Sequence, residues 1–279
     1  MITFKQYLFE SITLDEKTKG VKYYKQSQRE ASDAESISTF PLKTGYISQG
    51  QDLSNANYGA EVPVNKVISL YSYKSKDGSQ SSSILKALKG IGEYSVDDLT
   101  YSRFIRDSVN YAIDLLNREK PDFIIYPVSS SRFLKDFIDK LEEKMVHIEF
   151  IKDVIVKKHI KDIDKYVDEM IDKEYYGYKK MTPDKIDTIK KTINRNVRKN
   201  EEEAKGPIVT LKGIGLKRDV HLVKNFMEIV DDEILKIEGK HVIIIDDVLS
   251  TGTSFKDMIR AVGEFSPASV NGLTIFKRG

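Results

Sequence analysis

The stretch that decides the fold is Val242-Ile243-Ile244-Ile245-Asp246-Asp247-Val248-Leu249-Ser250-Thr251-Gly252-Thr253-Ser254. Four β-branched apolar residues come first, two adjacent carboxylates follow, and a short loop of Ser, Thr and Gly ends the stretch. A short, unbroken apolar run is typical of a parallel strand that is buried on both faces. Carboxylates at the end of such a strand lie in the crevice where open α/β sheets bind ligands.

The loop after the carboxylates predicts an anion site. A helix is expected to begin at Phe255, so the loop stands at a helix N-terminus. Backbone N–H groups at that place, together with Ser and Thr hydroxyls, suit a phosphate dianion. We therefore expect one strand, one loop and one helix to form a binding site for a phosphorylated, hydroxyl-bearing ligand.

The whole stretch resembles the PRPP-binding motif of the type I phosphoribosyltransferases, where PRPP is phosphoribosyl pyrophosphate. The resemblance implies an α/β fold with a mostly parallel central sheet, flanking helices and, in this chain, a helical insertion. It also implies that Asp246 and Asp247 bind the 2′- and 3′-hydroxyls of the ribose and act in catalysis. The residues implied in PRPP binding are Asp246, Asp247, Val248, Leu249, Ser250, Thr251, Gly252, Thr253 and Ser254, of which the loop from Ser250 holds the 5′-phosphate.

Length and composition bound the class of protein. The chain has 279 residues, with 45 basic and 43 acidic side chains, and this near balance argues against a dedicated nucleic-acid binder. Cysteine is absent from the sequence, which excludes disulfides and thiolate metal sites. The sequence has no apolar run long enough to span a membrane, so no membrane partner is expected.

The pattern along the chain predicts three parts: a terminal peptide at 1–10, a polar linker or arm at 11–61, and the phosphoribosyltransferase domain at 62–279. The domain opens with a predicted strand at Lys66–Tyr73 and a helix at Ser82–Lys89, a pair that resembles the opening of ComF-like phosphoribosyltransferases. A long helix follows from Ser95. The segment Asp122–Pro127 is predicted as the first parallel strand of the core.

A second ligand loop is expected after that strand. In the family, a small-residue turn at this place holds the pyrophosphate, and the corresponding residues here are Val128, Ser129, Ser130, Ser131 and Arg132. Serines stand where the family has glycines, although they still offer N–H and hydroxyl donors. The other reading of this segment is an ordinary strand-to-helix turn.

The segment 159–205 has no counterpart in small family members and is predicted to be a helical insertion. We interpret it as an enlarged lid over the site; a helical hairpin with solvated charges is an equal alternative. The resemblance implies a catalytic lysine near this lid, and the candidates are Lys157 and Lys158, which directly precede the segment. No residue is assigned as a direct metal ligand, because Mg²⁺ is expected to be held mainly by PRPP and water.

The first residues carry a separate resemblance. Thr3, Phe4, Tyr7, Leu8 and Glu10 match the capsid-targeting peptide of internal head proteins in T-even-type bacteriophages. Those peptides are cut after the glutamate, so the scissile bond here would join Glu10 and Ser11. The alternative is an ordinary amphipathic helix. The resemblance implies a phage scaffold and a prohead protease as partners. It also implies a location in the virion before injection and in the host cytoplasm after infection.

The expected activity is transfer of a phosphoribosyl group from PRPP to a nitrogen acceptor, with Mg²⁺ as cofactor. The sequence does not identify the acceptor and leaves open whether the chain forms a homodimer. Two alternatives remain. One is a non-catalytic PRPP- or nucleotide-binding regulator or sponge, and the other is an injected effector that binds a host factor through the insertion.

Overall fold

A computed structural model of the chain describes residues 14–15, 20–25, 31–38, 44–45, 64–73, 83–90, 94–96, 98–129, 131–159, 182–203, 208, 225–249 and 252–278. The helices in these ranges are α1 (Ser83–Lys89), α2 (Asp98–Glu119), α3 (Arg132–Lys144), α4 (Pro183–Glu202) and α5 (Thr253–Gly263), with a 3-10 helix at Asp232–Ile237. The strands are β1 (Leu14–Asp15), β2 (Gly20–Lys25), β3 (Ala31–Ser38), β4 (Thr44–Gly45), β5 (Val64–Tyr73), β6 (Tyr94–Ser95), β7 (Phe123–Pro127), β8 (Glu149–Lys157), β9 (Met227–Ile229), β10 (His241–Leu249) and β11 (Ser269–Arg278).

The strands form one mixed sheet in the order β1-β2-β3-β5-β11-β10-β7-β8-β9, with β4 paired to β5 and β6 paired to β2. Neighbouring strands from β5 to β8 run parallel, and β9 closes the edge antiparallel to β8. Strand β10 lies between β11 and β7, as its unbroken apolar run predicts. The predicted α/β class with a mostly parallel central sheet is confirmed.

Helices cover both faces of the sheet. One core packs α1, α2 and α3 against it, and the other packs α4, α5 and the 3-10 helix. Within the described part of the chain, no helix is long and apolar enough to cross a bilayer.

One strand prediction is wrong. The segment Phe123–Pro127 is not the first parallel strand of the core, because β5 pairs parallel to β11 over most of its length. The sequence of β5 does not show that it is a parallel core strand, because the polar residue Ser69 interrupts its apolar run. The Ser69 hydroxyl is satisfied by a 2.7 Å hydrogen bond to Thr274 on β11, so the strand tolerates a polar residue there.

The polar segment 11–61 contributes strands, which the expectation of a linker did not include. In the described parts of this segment, β3 pairs antiparallel with β5 through Ile37 and Ser38, and β4 pairs with β5 through Thr44 and Gly45. Strand pairing uses backbone groups that every residue has, so it needs no apolar alternation in the sequence. The polar composition therefore concealed these strands.

Helix α4 belongs to the segment predicted as an insertion, and it is part of a core. Its residues Ile189, Ile193 and Val197 are buried at a spacing of four, which places them on one face of the helix. Residues 160–181 of the predicted insertion lie outside the described residues. Helix α4 thus contributes to the fold directly.

Candidate functional site

Asp246 and Asp247 lie in the carboxyl half of β10 and are both half-buried. The N–H of Asp247 donates a 2.8 Å hydrogen bond to Oδ1 of Asp246, which fixes the first carboxylate against the backbone. On the neighbouring strand, Thr274 of β11 stands opposite Asp246. Both carboxylates therefore belong to the carboxyl half of the same strand.

The charge state of Asp246 is unusual. Burial, followed by the neighbouring carboxylate of Asp247, raises the pKa of Asp246 to about 7. The N–H of Asp247 and the positive charges of Lys89 and Lys157 act in the opposite direction and favour the ionised form. This carboxyl group therefore changes charge near neutral pH, a property that is common among functional carboxyl groups.

Lys89, the last residue of α1, is a site residue that the sequence analysis missed. Its ammonium lies 2.5 Å from Oδ2 of Asp247, and both side chains are largely sheltered from solvent. One signal was available, because Lys89 ends the helix whose pattern resembles the ComF-like opening. The pattern placed the helix but gave no sign that its final side chain reaches the acidic pair.

The expected phosphate loop leads into α5. Gly252 adopts a left-handed conformation with φ of 79°, which a residue with a side chain adopts only at a cost, and it stands at the N-cap of α5. Its carbonyl accepts the N–H of Lys256 at 2.8 Å, and the first turn of α5 holds no acidic residue. Thr253 is buried, whereas Ser254 is half-buried. The helix thus presents a positive end beside the loop.

Two contacts hold α5 in place against the sheet. A methyl group added at Gly272 on β11 would stand 2.4 Å from the ring of Phe255, so helix and strand approach too closely for any side chain there. The buried carboxylate of Asp257 accepts backbone N–H groups of Asn225, Phe226 and Met227 at 2.7–2.8 Å. These contacts fix the helix whose N-terminus would face a phosphate.

In the turn predicted to hold pyrophosphate, Ser129 and Ser131 make hydrogen bonds within the turn and to the start of α3. The Ser131 N–H donates to Oγ of Ser129 at 3.1 Å, and Oγ of Ser131 caps α3 by accepting the N–H of Leu134. The N–H of Val128 donates to the carbonyl of Ile155 on β8, while the Val128 side chain is exposed. The arrangement is that of a capped strand-to-helix turn.

Arg132 begins α3 and points along that helix. Its Nε lies 3.3 Å from a carboxylate oxygen of Asp136, and its guanidinium stands 5.1 Å from the ring centre of Tyr101. The Tyr101 hydroxyl donates to the same Asp136 oxygen at 2.7 Å. Arg132 is nevertheless largely exposed, so an anion at the turn would compete with these partners for its charge.

The two candidate lysines differ in their surroundings. Lys157 is the last residue of β8, is exposed, and its charge lowers the pKa of Asp246, which places it within electrostatic reach of the acidic pair. Lys158 is half-buried, and its backbone N–H donates to the carbonyl of Phe226 at 2.8 Å. The structure therefore connects Lys157 to the site more directly than Lys158.

The donor set fits a weakly held magnesium ion. Carboxylate oxygens are suitable ligands for Mg²⁺, which retains several waters and is usually bound through one or two carboxylates and substrate phosphates. Among the described residues no group of three or more His, Cys, Asp or Glu side chains forms a metal cage. The acidic pair is thus suited to a cation that arrives with a phosphorylated ligand.

Several expected site residues cannot be placed. Ser130 of the pyrophosphate turn, Ser250 and Thr251 of the phosphate loop, and the expected cleavage site at Glu10 and Ser11 lie outside the described residues.

Comparison with known proteins finds a family model that matches part of the chain. No curated protein matches. A purine phosphoribosyltransferase from Pyrococcus horikoshii is 14% identical, with a TM-score of 0.31 over 62% of this chain and 82% of that one. A hypoxanthine phosphoribosyl transferase from Trypanosoma cruzi is also 14% identical, with a TM-score of 0.32 over 62% of this chain and 63% of that one. Residues 188–279, which include β10 with its acidic pair, α5 and β11, match the phosphoribosyl transferase domain family.

Proposed function

We propose that the chain is a phosphoribosyltransferase that binds PRPP with Mg²⁺ and transfers its phosphoribosyl group to a nitrogen acceptor. One observation supports this above all. The acidic pair of β10 and the N-terminus of α5 belong to a single strand–loop–helix unit. Carboxylates that can accept hydrogen bonds from hydroxyls thus precede, by a few residues, N–H groups that attract a phosphate. The match of residues 188–279 to the phosphoribosyl transferase domain family covers this unit.

The proposed roles follow from the chemistry of each group. Asp246 and Asp247 accept hydrogen bonds from the ribose hydroxyls, and the loop before α5 receives the 5′-phosphate through N–H groups. A nitrogen lone pair of the acceptor attacks C1, the bond from C1 to the pyrophosphate oxygen breaks, and the acceptor then loses a proton. Mg²⁺ supplies charge neutralisation on the departing pyrophosphate. Lys157 adds positive charge from β8, while the protein mainly orients the reactants and excludes water.

The alternative of a non-catalytic PRPP- or nucleotide-binding regulator or sponge uses the same pocket. The transferase and the non-catalytic binder are distinguished by incubating the protein with PRPP, Mg²⁺ and a nucleobase mixture and measuring the release of pyrophosphate. Base-dependent release is expected for the enzyme. Binding of PRPP without release would support the regulator instead and would contradict the transferase.

The binding site itself is tested by Asp246→Asn combined with Asp247→Asn. Hydrogen bonds to charged groups are worth about 1.5–3 kcal/mol, so calorimetry should show Mg-PRPP affinity at least about tenfold weaker. A matched control is Asp231→Asn with Asp232→Asn, an exposed Asp-Asp pair at the start of the 3-10 helix. Equal affinities in the site variant and the wild type would refute the assignment.

The N-terminal resemblance adds a proposal about delivery. We propose that the chain is packaged in a phage head, loses residues 1–10 to the prohead protease, and acts in the host cytoplasm after injection. Its support is the spacing of aromatic and aliphatic residues before Glu10. An effector role, in which the 159–205 segment binds a host factor, shares this route and differs in needing no PRPP.

A further inference from the structure

The ion pair between Lys89 and Asp247 has no role in the proposed reaction. Lys89 reaches the acidic pair from α1, whereas the pair belongs to β10, so the contact joins distant parts of the chain. The ammonium lies 2.5 Å from Oδ2 of Asp247, and only 21% of the Lys89 side chain and 13% of the Asp247 side chain are exposed. Salt screens a sheltered pair of this kind less than an ion pair on the open surface.

The position of Lys89 is fixed by its helix. Leu85 and Leu88 of α1 are buried in the core that packs on one face of the sheet. Gly90 ends the helix with a left-handed φ of 65°, and its N–H donates to the carbonyl of Ala87 at 3.2 Å. The backbone around Lys89 is therefore fixed. Only the side-chain torsions of Lys89 must be ordered for its ammonium to contact Asp247.

We propose that Lys89 is a positioning residue that competes with divalent cations for Asp247 and thereby makes the site select metal that arrives with a phosphorylated sugar. A metal ion without ligand must displace the ammonium and gains nothing from it afterwards. A metal–PRPP complex also displaces the ammonium, but then brings phosphate groups that the freed cation attracts. The inference takes the identity of the sugar phosphate from the proposed function, while the competition itself depends only on the ion pair.

The competition predicts two effects of opposite sign for Lys89→Gln, which removes the charge and keeps a polar side chain. With Mn²⁺ as a spectroscopic substitute for Mg²⁺ and no sugar phosphate present, the variant should bind the metal about fivefold more tightly, a change at the upper end for a partly exposed ion pair. In the presence of Mg²⁺ the same relief applies, but the variant also loses a charged hydrogen bond to phosphate, which is worth more than a partly exposed ion pair, so it should bind PRPP about fivefold more weakly. A merely structural role for Lys89 would not move the two affinities in opposite directions.

Three further variants make the experiment specific. Lys89→Arg keeps the charge and should retain wild-type affinity for Mn²⁺. Adding Asp247→Asn to Lys89→Gln should abolish the gain, because the contested carboxylate is gone. Lys140→Gln is the matched control, since Lys140 pairs with Glu143 on the exposed side of α3 and should leave both affinities unchanged.

The measurement is Mn²⁺ titration followed by electron paramagnetic resonance, with calorimetry for PRPP. Equal or weaker Mn²⁺ binding by Lys89→Gln, a gain that survives Asp247→Asn, or no Mn²⁺ binding by any variant would overturn the inference. The Mn²⁺ arm needs no PRPP. A gain in Mn²⁺ affinity without any PRPP binding would therefore refute the proposed function alone.

Discussion

Asp257 and Arg260 lie one turn apart on α5 and bind the same stretch of chain. The guanidinium Nε of Arg260 donates to Oδ1 of Asp257 at 2.9 Å, and its Nη2 donates to the carbonyl of Met227 at 2.8 Å. The Asp257 carboxylate in turn accepts the N–H of Met227. Donors and acceptors at the start of β9 are thus satisfied by two charged side chains of α5.

The first prediction concerns this contact. Asp257→Asn removes the charge that three backbone N–H groups share, and it replaces one accepting oxygen by a donor that faces them. Since a buried donor left unsatisfied costs about 1–3 kcal/mol, we expect the free energy of unfolding to fall by at least about 2 kcal/mol in urea denaturation. Glu264→Gln, which alters the exposed partner of Arg260, should cost less than about 0.5 kcal/mol. Equal effects of the two substitutions would contradict a specific role for Asp257.

The second prediction concerns pH. The folded pKa of Asp246 is about 7 against an ordinary value of 3.8, so between these values the folded chain keeps a proton that the unfolded chain releases. Stability should therefore fall as pH rises from about 4 to about 7. Asp246→Asn mimics the protonated form and should stabilise the fold by about 1–3 kcal/mol at pH 8 while changing little at pH 4.

Thermal and urea unfolding across this pH range check the prediction, with Asp114→Asn, an exposed position on α2, as the control. Parallel stability curves for Asp246→Asn and the wild type would show that the carboxyl group is not perturbed. A stabilised variant that no longer binds PRPP would indicate that the site retains a costly carboxylate for its function.

The third prediction concerns the close approach of α5 to β11. Gly272→Ala places a methyl group against the Phe255 ring, and overpacking of this kind typically costs about 1–3 kcal/mol. A Phe255→Leu background removes the nearer obstacle and leaves the Val67 methyl group at 2.8 Å, so the same substitution should cost less there. The difference between the two costs is a coupling free energy, measured by a double-mutant cycle. A coupling near zero would mean that the ring is not the obstacle.

The fourth prediction concerns the N-terminus. If residues 1–10 target the chain to a phage head, mass spectrometry of purified particles should find protein that begins at Ser11. Protein expressed without the phage should begin at Met1. Glu10→Ala should leave packaging intact and block the cleavage. Particles that contain no such protein, or only the form with Met1, would argue against this delivery route.

Much of the parallel core could be predicted from the sequence. The run from Val242 to Ile245 is apolar at every position, and only a strand covered on both faces requires that. The carboxylates that follow it conflict with burial, so their position already indicates a ligand site. These features are local, and a local pattern is sufficient to find them.

The parts that were missed depend on contacts between distant residues. Lys89 is an ordinary helix-ending lysine until the folded sheet brings Asp247 beside it. Asp257 sits in an amphipathic helix pattern, and nothing nearby in the sequence shows that it accepts N–H groups from the start of β9. The strands in the polar segment 11–61 pair through backbone groups, which leave no trace in side-chain periodicity.

The position of β11 has a consequence for synthesis of the protein. This strand, Ser269–Arg278, lies between β5 and β10, although β5 was made some two hundred residues earlier. On the ribosome, β5 therefore cannot pair with β11 until residue 278 has left the exit tunnel. The long-range pairing slows folding and leaves β5 with an open edge in the meantime. A nascent chain interrupted just before β11 would carry both aspartates but lack the strand beside them. We expect such truncated chains not to bind the ligand and to associate through the open edge of β5.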